Sequence, residues 1–168
     1  MGLIVETGCG RIEGVEEGGV EVFRGIPYAA SAAGAGRWRP PAPREPWPGV
    51  RDARRPGPMA PQAPGLISKL LGDSGLAMDE DCLTLDVWTP SADAARRPVL
   101  VWIHGGSFNT GSGSLAVYDG GVLALRGGDR LELFLVFWVE RSVHTYRIAW
   151  SGARRRGWRM VSGDVDPR

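Results

Sequence analysis

The chain has 168 residues, of which 43% are hydrophobic, so it is long enough to build one hydrophobic core. Its formal net charge is +1, so the overall charge of the chain does not favour an acidic partner. The 25 glycines and 13 prolines predict many turns and few long helices.

The amino-terminal residues predict short strands separated by glycines. Apolar and polar residues alternate over residues 11–15 and 20–23, and Gly18-Gly19 lies between these runs, a pattern typical of a β-hairpin. Residues 24–64 are rich in glycine and proline and predict a long surface loop. Gly65–Leu71 predicts one short helix, since its apolar residues share a face.

Two strands are predicted in the middle of the chain. Leu83–Trp88 alternates and stops before Pro90, which indicates a half-buried strand. Residues 98–103 form a continuous apolar run bounded by glycines, which indicates a central strand buried on both faces. Farther along, Gly120–Arg126 predicts a helix with Asp119 as its N-cap, and Leu131–Val139 is again rich in strand-forming residues.

The segment His104-Gly105-Gly106-Ser107-Phe108 directly follows the predicted central strand. Acyl transfer places negative charge on a carbonyl oxygen in its transition state, and backbone N–H groups near that oxygen lower the barrier. Glycines let the backbone approach a substrate closely. Lipases and esterases use such a loop after an early strand. For the His-Gly-Gly triplet alone, a tight strand-to-loop turn is an equally good interpretation.

Motifs in one consistent order resemble those of type-B carboxylesterases, the α/β-hydrolases that include the cholinesterases. In chain order they are Phe23–Ala29, Arg37–Pro41, Trp47–Ala53, Gly57–Gln62, Glu80–Pro90, His104–Phe108, and Gly111–Ser114 with Tyr118–Gly120. The resemblance implies the α/β class, with an incomplete α/β-hydrolase fold that holds the amino-terminal strands of a central mixed sheet and long Gly/Pro-rich loops. It implies a carboxylesterase segment over residues 1–128 and a divergent tail over residues 129–168.

The resemblance also implies roles for single residues. Gly106 and Ser107 supply two backbone N–H donors to the oxyanion, while His104, Gly105 and Phe108 belong to the same substrate loop. The family does not use the loop histidine as a catalytic base. Arg37 and Glu80 resemble a family ion pair, and we expect that pair to be buried rather than solvated. Cys82 matches a half-cystine of secreted members, but no partner cysteine is present near Met59–Gln62, so a reduced thiol is expected.

The nucleophile elbow of this fold, Gly-x-Ser-x-Gly, is not found in the sequence. The fold orders its triad as serine, acid and histidine, and neither His104 nor His144 follows such an elbow. We therefore expect an amino-terminal fragment of a serine carboxylic-ester hydrolase, without the serine nucleophile or the triad histidine. The alternative is a non-catalytic truncated remnant with no esterase activity of its own.

Residues 129–168 depart from the family pattern, and we interpret them as a tail that is either translated out of frame or disordered. A rival interpretation is that Leu131–Val139 occupies the place of the family's next strand by chance of composition. The arginines and tryptophans of residues 141–159 could also suit a nucleic acid, but a basic aromatic segment is more often disordered, so no nucleic-acid partner is expected.

The expected partner is a small-molecule carboxylic ester, with no cofactor and no metal. No apolar run is long enough for a membrane span, and the first residues do not form a signal peptide. The expected location is the cytoplasm, with no membrane association.

Overall fold

The computed structural model describes residues 2–63, 75–95, 97–107 and 109–126, and the backbone of residues 132–136, 146–149 and 159–162. The predicted helix Gly65–Leu71 and the loop residue Phe108 lie outside the described residues.

The described part of the chain is mostly strand. Its strands are β1 Leu3–Thr7, β2 Gly10–Glu17, β3 Val20–Pro27, β4 Val50–Asp52, β5 Thr84–Thr89, β6 Val99–Ile103, β7 Glu132–Val136, β8 Tyr146–Ala149 and β9 Arg159–Ser162, and its helix is α1 Gly121–Arg126. Two 3₁₀ turns lie at Gly34–Gly36 and Ala116–Tyr118. One sheet has the order β1-β2-β3-β5-β7-β6, with β4 beside β2, and β8 pairs with β9 separately. Antiparallel and parallel pairs both occur, so the predicted mixed sheet is confirmed.

The predicted amino-terminal hairpin is confirmed. β2 and β3 pair antiparallel up to Glu17 and Val20. The two residues between them, Gly18 and Gly19, have φ angles of 57° and 84°. Positive φ at both central residues matches the strand twist in a two-residue turn, which is why glycine suits both positions. Within the predicted loop region, Val50–Asp52 was missed as a strand, and it pairs parallel with β2.

The core lies on both faces of the sheet. Neighbouring residues of a strand point to opposite faces, and Val22 and Phe23 belong to different apolar clusters. The first cluster joins Val22, Val20 and Trp88 to Ala124 of α1. The second cluster groups Phe23 with Ile12 and Ala53 and with the partly buried Leu3, Val5, Ile26, Trp47 and Val87. The first cluster therefore holds the helix against the sheet, and the second covers the opposite face.

The strand predicted at Leu83–Trp88 is confirmed as β5, but it is not half-buried with a solvated polar face. Thr84, Asp86 and Trp88 are buried, whereas Leu85 and Val87 are only partly covered. A bulge in β3 and nearby loops cover the face that carries the two polar side chains. At the bulge the register shifts between Phe23 and Ile26, and Gly25 has a φ of 64°.

The prediction for residues 98–103 is right about the strand and wrong about its burial. In the described part of the chain β6 pairs only with β7, at one edge of the sheet. Leu100, Trp102 and Ile103 are 40%, 47% and 53% exposed. An apolar run predicts a strand. The burial of that strand depends on the chain segments that pack against it, which the run itself does not specify.

The predicted helix is confirmed as Gly121–Arg126, but Gly120 is at its N-cap position, since its carbonyl accepts the first helical hydrogen bond, from the Ala124 N–H. Asp119 lies one residue earlier than predicted for a cap, and its Oδ1 accepts from the Gly121 N–H at 2.8 Å. β7 falls within the predicted run Leu131–Val139 and lies between β5 and β6, as the rival interpretation of that run expects. The interpretation of residues 129–168 as a tail translated out of frame or disordered stays a prediction.

Among the described helices, none has the length and apolar character that a membrane crossing requires.

Candidate functional site

The loop after β6 closes into a tight turn around one carbonyl group. The Gly106 carbonyl oxygen accepts hydrogen bonds from the backbone N–H groups of Asn109 and Thr110, at 3.0 and 3.1 Å. The Thr110 hydroxyl approaches the same oxygen at 3.4 Å. Three donors, the N–H groups of Asn109 and Thr110 and the Thr110 hydroxyl, thus converge on the Gly106 oxygen.

The carbonyl before it also faces the interior of the loop. Gly105 O accepts a hydrogen bond from the His104 ring at 2.7 Å. A carbonyl oxygen can only accept, so this contact requires the proton on Nδ1. A Cβ placed on Gly111 would lie 2.7 Å from the same oxygen, which shows how closely the Gly111 backbone packs against Gly105.

These two carbonyls determine the direction of the two N–H groups that follow them. The described chain has no cis peptide bonds, and in a trans peptide unit the C=O and the N–H point to opposite sides. The inward Gly105 and Gly106 carbonyls therefore turn the Gly106 and Ser107 N–H groups outward. Neither N–H donates to an acceptor within the described residues. Ser107 is exposed and Gly106 is half-buried.

The backbone angles of the loop suit glycine at position 106. Gly106 has a φ of 132°, and a Cβ there would lie only 1.7 Å from the Thr110 carbonyl oxygen. Ser107 has a φ of 52°, which is uncommon for a residue with a side chain. Backbone strain of this kind is often found at functional sites, where the surrounding structure maintains it.

A side-chain amide holds the far end of the loop. The Gly111 N–H donates to Gln62 Oε1 at 2.7 Å, and Gln62 Nε2 donates to Gly111 O at 3.0 Å. Gln62 Nε2 also donates to Ala60 O at 3.1 Å. Both backbone groups of Gly111 are thereby paired with a single side chain from a distant loop.

A buried carboxylate holds the segment that follows. Asp86 of β5 accepts from the Ser114 hydroxyl and from the Gly25 N–H, each at 2.7 Å. Ser112, between the two anchored residues, is fully buried, and its hydroxyl accepts from the Ser114 N–H at 3.2 Å. The segment 111–114 is thus fixed to Gln62 at one end and to β5 at the other.

The predicted Arg37–Glu80 ion pair is present, but the expectation that it is buried is wrong. Arg37 Nη2 donates to Glu80 Oε2 at 2.6 Å. The two side chains are 53% and 36% exposed, because the loop that carries Arg37 lies on the surface. Neither residue is hydrogen bonded to the loop residues 104–107, so the pair joins two chain segments outside the candidate site.

Sequence analysis did not single out Gln62, Asp86 or Ser114 for the site. Gln62 is the only glutamine of the chain, which is a weak signal, and the alternation of residues 83–88 gives Asp86 no role beyond its place in a half-buried strand. Within the described residues no group of three or more histidine, cysteine or acidic side chains could hold a metal ion. Two neighbouring backbone N–H groups can donate hydrogen bonds to an oxygen that carries or develops negative charge.

The sequence model of the carboxylesterase family matches residues 2–136, which include β1 to β7, the loop and both of its anchors. The chain belongs to the carboxylesterase family. The match extends through β7, so the sheet that positions the loop lies within the family region.

Relatives of this carboxylesterase-family chain are esterases. It is 51% identical over 129 residues to a phenmedipham hydrolase of Pseudarthrobacter oxydans, a match that covers 75% of this chain and 26% of the relative. It is 42% identical over 125 residues to a para-nitrobenzyl esterase of Bacillus subtilis, covering 74% of this chain and 25% of that protein. A crystal structure of a Geobacillus stearothermophilus carboxylesterase is 40% identical with a TM-score of 0.71, covering 82% of this chain and 26% of that one.

These comparisons establish the fold and the family. The structural neighbours have the α/β-hydrolase fold, and this chain holds part of it, which confirms the predicted fold class. The chain spans about a quarter of the length of the curated relatives that it matches.

Proposed function

We propose that this chain is the amino-terminal, oxyanion-binding portion of a serine carboxylic-ester hydrolase. In this proposal the N–H groups of Gly106 and Ser107 donate to the carbonyl oxygen of an ester as it acquires negative charge. His104, Gly105 and Phe108 belong to the same substrate loop. The substrate class is a small-molecule carboxylic ester, and no cofactor, nucleic acid or membrane takes part.

One observation carries the proposal. Two successive carbonyls, of Gly105 and Gly106, make hydrogen bonds within the loop, and the two N–H groups that follow them have no acceptor in the described chain. From the trans geometry of the peptide units we infer that these N–H groups face outward. An unpaired N–H group exposed to water has no penalty, so this arrangement is compatible with folding before any substrate binds. Two adjacent donors fixed by the backbone need no reorganisation when the charge develops, which is the main requirement of an oxyanion hole.

The proposal gives this chain one part of the chemistry. The serine nucleophile and the triad histidine are not assigned to any of its residues, because no Gly-x-Ser-x-Gly occurs in its sequence. A serine hydroxyl without an adjacent base is a weak nucleophile at neutral pH. An oxyanion hole and substrate binding alone accelerate acyl transfer by at most about a thousand to ten thousand times over water.

A reducing compartment such as the cytoplasm is part of the proposal, supported by the free Cys9 and Cys82.

The test removes one donor and nothing else. Replacing the residue at 107 by the corresponding α-hydroxy acid converts its amide to an ester, which deletes the N–H group and keeps the side chain. The same replacement at Gly105 is the matched control, because the N–H of that residue is not one of the two proposed donors. Hydrolysis of p-nitrophenyl acetate is then measured for the three proteins against buffer.

We expect the unmodified chain and the Gly105 control to accelerate hydrolysis weakly, and the variant at 107 to lose most of that acceleration. The same α-hydroxy acid replacement at Gly106, which deletes the other donor and adds no side chain, should lose it as well. If all of these proteins hydrolyse the ester at the buffer rate, the alternative of a non-catalytic remnant replaces the proposal.

A further inference from the structure

We propose that Gln62 is the positioning residue of the oxyanion loop. This inference rests on the proposed function of the Gly106 and Ser107 N–H groups. It assigns to a side chain 44 positions away from Gly106 the task of fixing the direction of those two groups.

Gln62 acts on the loop through Gly111. Its amide pairs with both the N–H and the C=O of Gly111, at 2.7 and 3.0 Å. Gly111 in turn lies against the Gly105 carbonyl and the His104 ring, since a Cβ at position 111 would come within 2.7 and 2.9 Å of them. Moving Gly111 would therefore open space beside the Gly105 carbonyl and allow its peptide unit, which also carries the Gly106 N–H, to rotate.

The other end of the segment is already fixed. Ser114 is bound through its hydroxyl to Asp86, which is buried on the central strand β5. Residues 111–114 thus form a short bridge between a rigid strand and the loop, and Gln62 determines where its loop end lies. Gln62 is itself held at Ala60 by a third hydrogen bond, so its amide is oriented before it meets Gly111.

The side-chain amide is the chemical group that this position needs. It presents one acceptor and one donor side by side, which match the donor and acceptor of a single residue's backbone. A glutamate at 62 would keep the acceptor for the Gly111 N–H but would place negative charge against the Gly111 and Ala60 carbonyls. An alanine would remove both partners.

The experiment compares the full-length chain with Gln62→Ala and Gln62→Glu. Backbone N–H resonances and hydrogen exchange are followed at Gly106, Ser107 and Gly111. Thr89→Val is the matched control, because it deletes a similar side-chain clamp on another turn, where Thr89 Oγ1 pairs with Ser91 O at 2.9 Å and with Ser91 N at 3.3 Å.

In Gln62→Ala we expect exchange at Gly111 to accelerate about tenfold, as loss of about one net hydrogen bond implies. The Ser107 and Gly106 resonances should shift with it. In Gln62→Glu, Gly111 should stay protected while Ser107 shifts at pH 7 and returns toward the wild-type position below about pH 4, where a protonated carboxyl regains a donor. Thr89→Val should leave Ser107 unchanged.

Unchanged Ser107 and Gly106 resonances in Gln62→Ala, with Gly111 exchange accelerated, would overturn the positioning role. Equal shifts in Thr89→Val would overturn it too, because they would report general loosening. The p-nitrophenyl acetate assay on the same variants addresses the proposed function separately. If the wild-type chain hydrolyses p-nitrophenyl acetate no faster than buffer does, the proposed function is rejected. The resonance shifts of Gly106 and Ser107 then still decide the role of Gln62.

Discussion

The buried carboxyl of Asp86 accepts a hydrogen bond from the hydroxyl of Ser114 across 2.7 Å. Asp86 lies opposite the bulge in β3, where its other oxygen accepts from the Gly25 N–H at 2.7 Å. Burial raises the pKa of Asp86, while the hydrogen bonds from Gly25 and Ser114 and the charge of Arg24 oppose that rise. One carboxyl therefore joins two irregular segments of backbone, and its charge is the unfavourable part of the arrangement.

The raised pKa of Asp86 predicts that Asp86→Asn does not destabilise the chain at pH 7. Above the unfolded pKa of about 3.9, the folded state retains a proton that the unfolded state releases, so wild-type stability falls as the pH rises through the folded pKa. Asparagine keeps an acceptor for Gly25 and can donate to the Ser114 oxygen without a charge. Urea unfolding between pH 4 and 8 should therefore give Asp86→Asn a flatter profile than the wild type.

Asp86→Ala is the control for this prediction. It leaves the Gly25 N–H without its acceptor, and we expect a loss of about 1–3 kcal/mol in the free energy of unfolding. An Asp86→Asn variant that loses as much as the alanine variant would show that the charge itself is needed, which contradicts the argument from burial.

A second prediction concerns the three consecutive residues of the loop. Ser107→Gly should raise the free energy of unfolding by about 0.5 kcal/mol, because relief of about 1–2 kcal/mol of strain at positive φ is partly offset by a more flexible unfolded chain. Gly106→Ala should lower it by about 1–3 kcal/mol, since its Cβ would meet the Thr110 oxygen. Gly105→Ala is the matched control, because a Cβ there would meet nothing within 4 Å. Thermal unfolding of the three variants checks this order of stabilities. An equal loss of stability in Gly105→Ala and Gly106→Ala would contradict it.

The sequence was sufficient for the strands and for the loop, but not for the way in which they are held. Alternation and glycine placement predicted β2, β3 and β5, and the strand-to-glycine boundary located residues 104–107. The same alternation does not reveal that Asp86 is buried, because the bulge at Gly25 and the segment at Ser114 cover it only after folding. The clamp by Gln62 joins residues 49 positions apart, and no local pattern reports such a contact.

The two cysteines should differ sharply in reactivity. Burial raises the pKa of Cys82 to about 11, so at pH 8 only about one thiol in a thousand is ionised. Cys82 is also buried, whereas Cys9 is half-buried in the turn between β1 and β2. Iodoacetamide should therefore modify the Cys9 thiol quickly and the Cys82 thiol only in urea. Mass spectrometry follows the number of modified thiols. Cys9→Ser should abolish the fast modification, and a variant that retains it would assign the reactive thiol to Cys82.

The last prediction concerns the exposed apolar surface at β6. Leu100, Trp102 and Ile103 are each at least 40% exposed on a strand that pairs with β7 only, within the described part of the chain. Val117 and three residues of α1, Val122, Leu123 and Leu125, are exposed as well. A strand edge with exposed apolar side chains can pair with another chain, and large apolar patches promote association.

Leu100→Lys should therefore reduce self-association of the chain, because a charged side chain on an edge strand must be desolvated when a second strand pairs with it. Sedimentation velocity over a concentration series measures the effect, and we expect the wild type to form larger species at lower concentration than the variant does. Val50→Lys is the matched control, since Val50 is 39% exposed on β4, away from β6 in the sheet order. Both substitutions add one positive charge, so an equal reduction of self-association in both variants would attribute the effect to net charge. A reduction confined to Leu100→Lys would place the contact between chains at β6. The carboxyl end of β6 leads directly into the loop that carries Gly106 and Ser107.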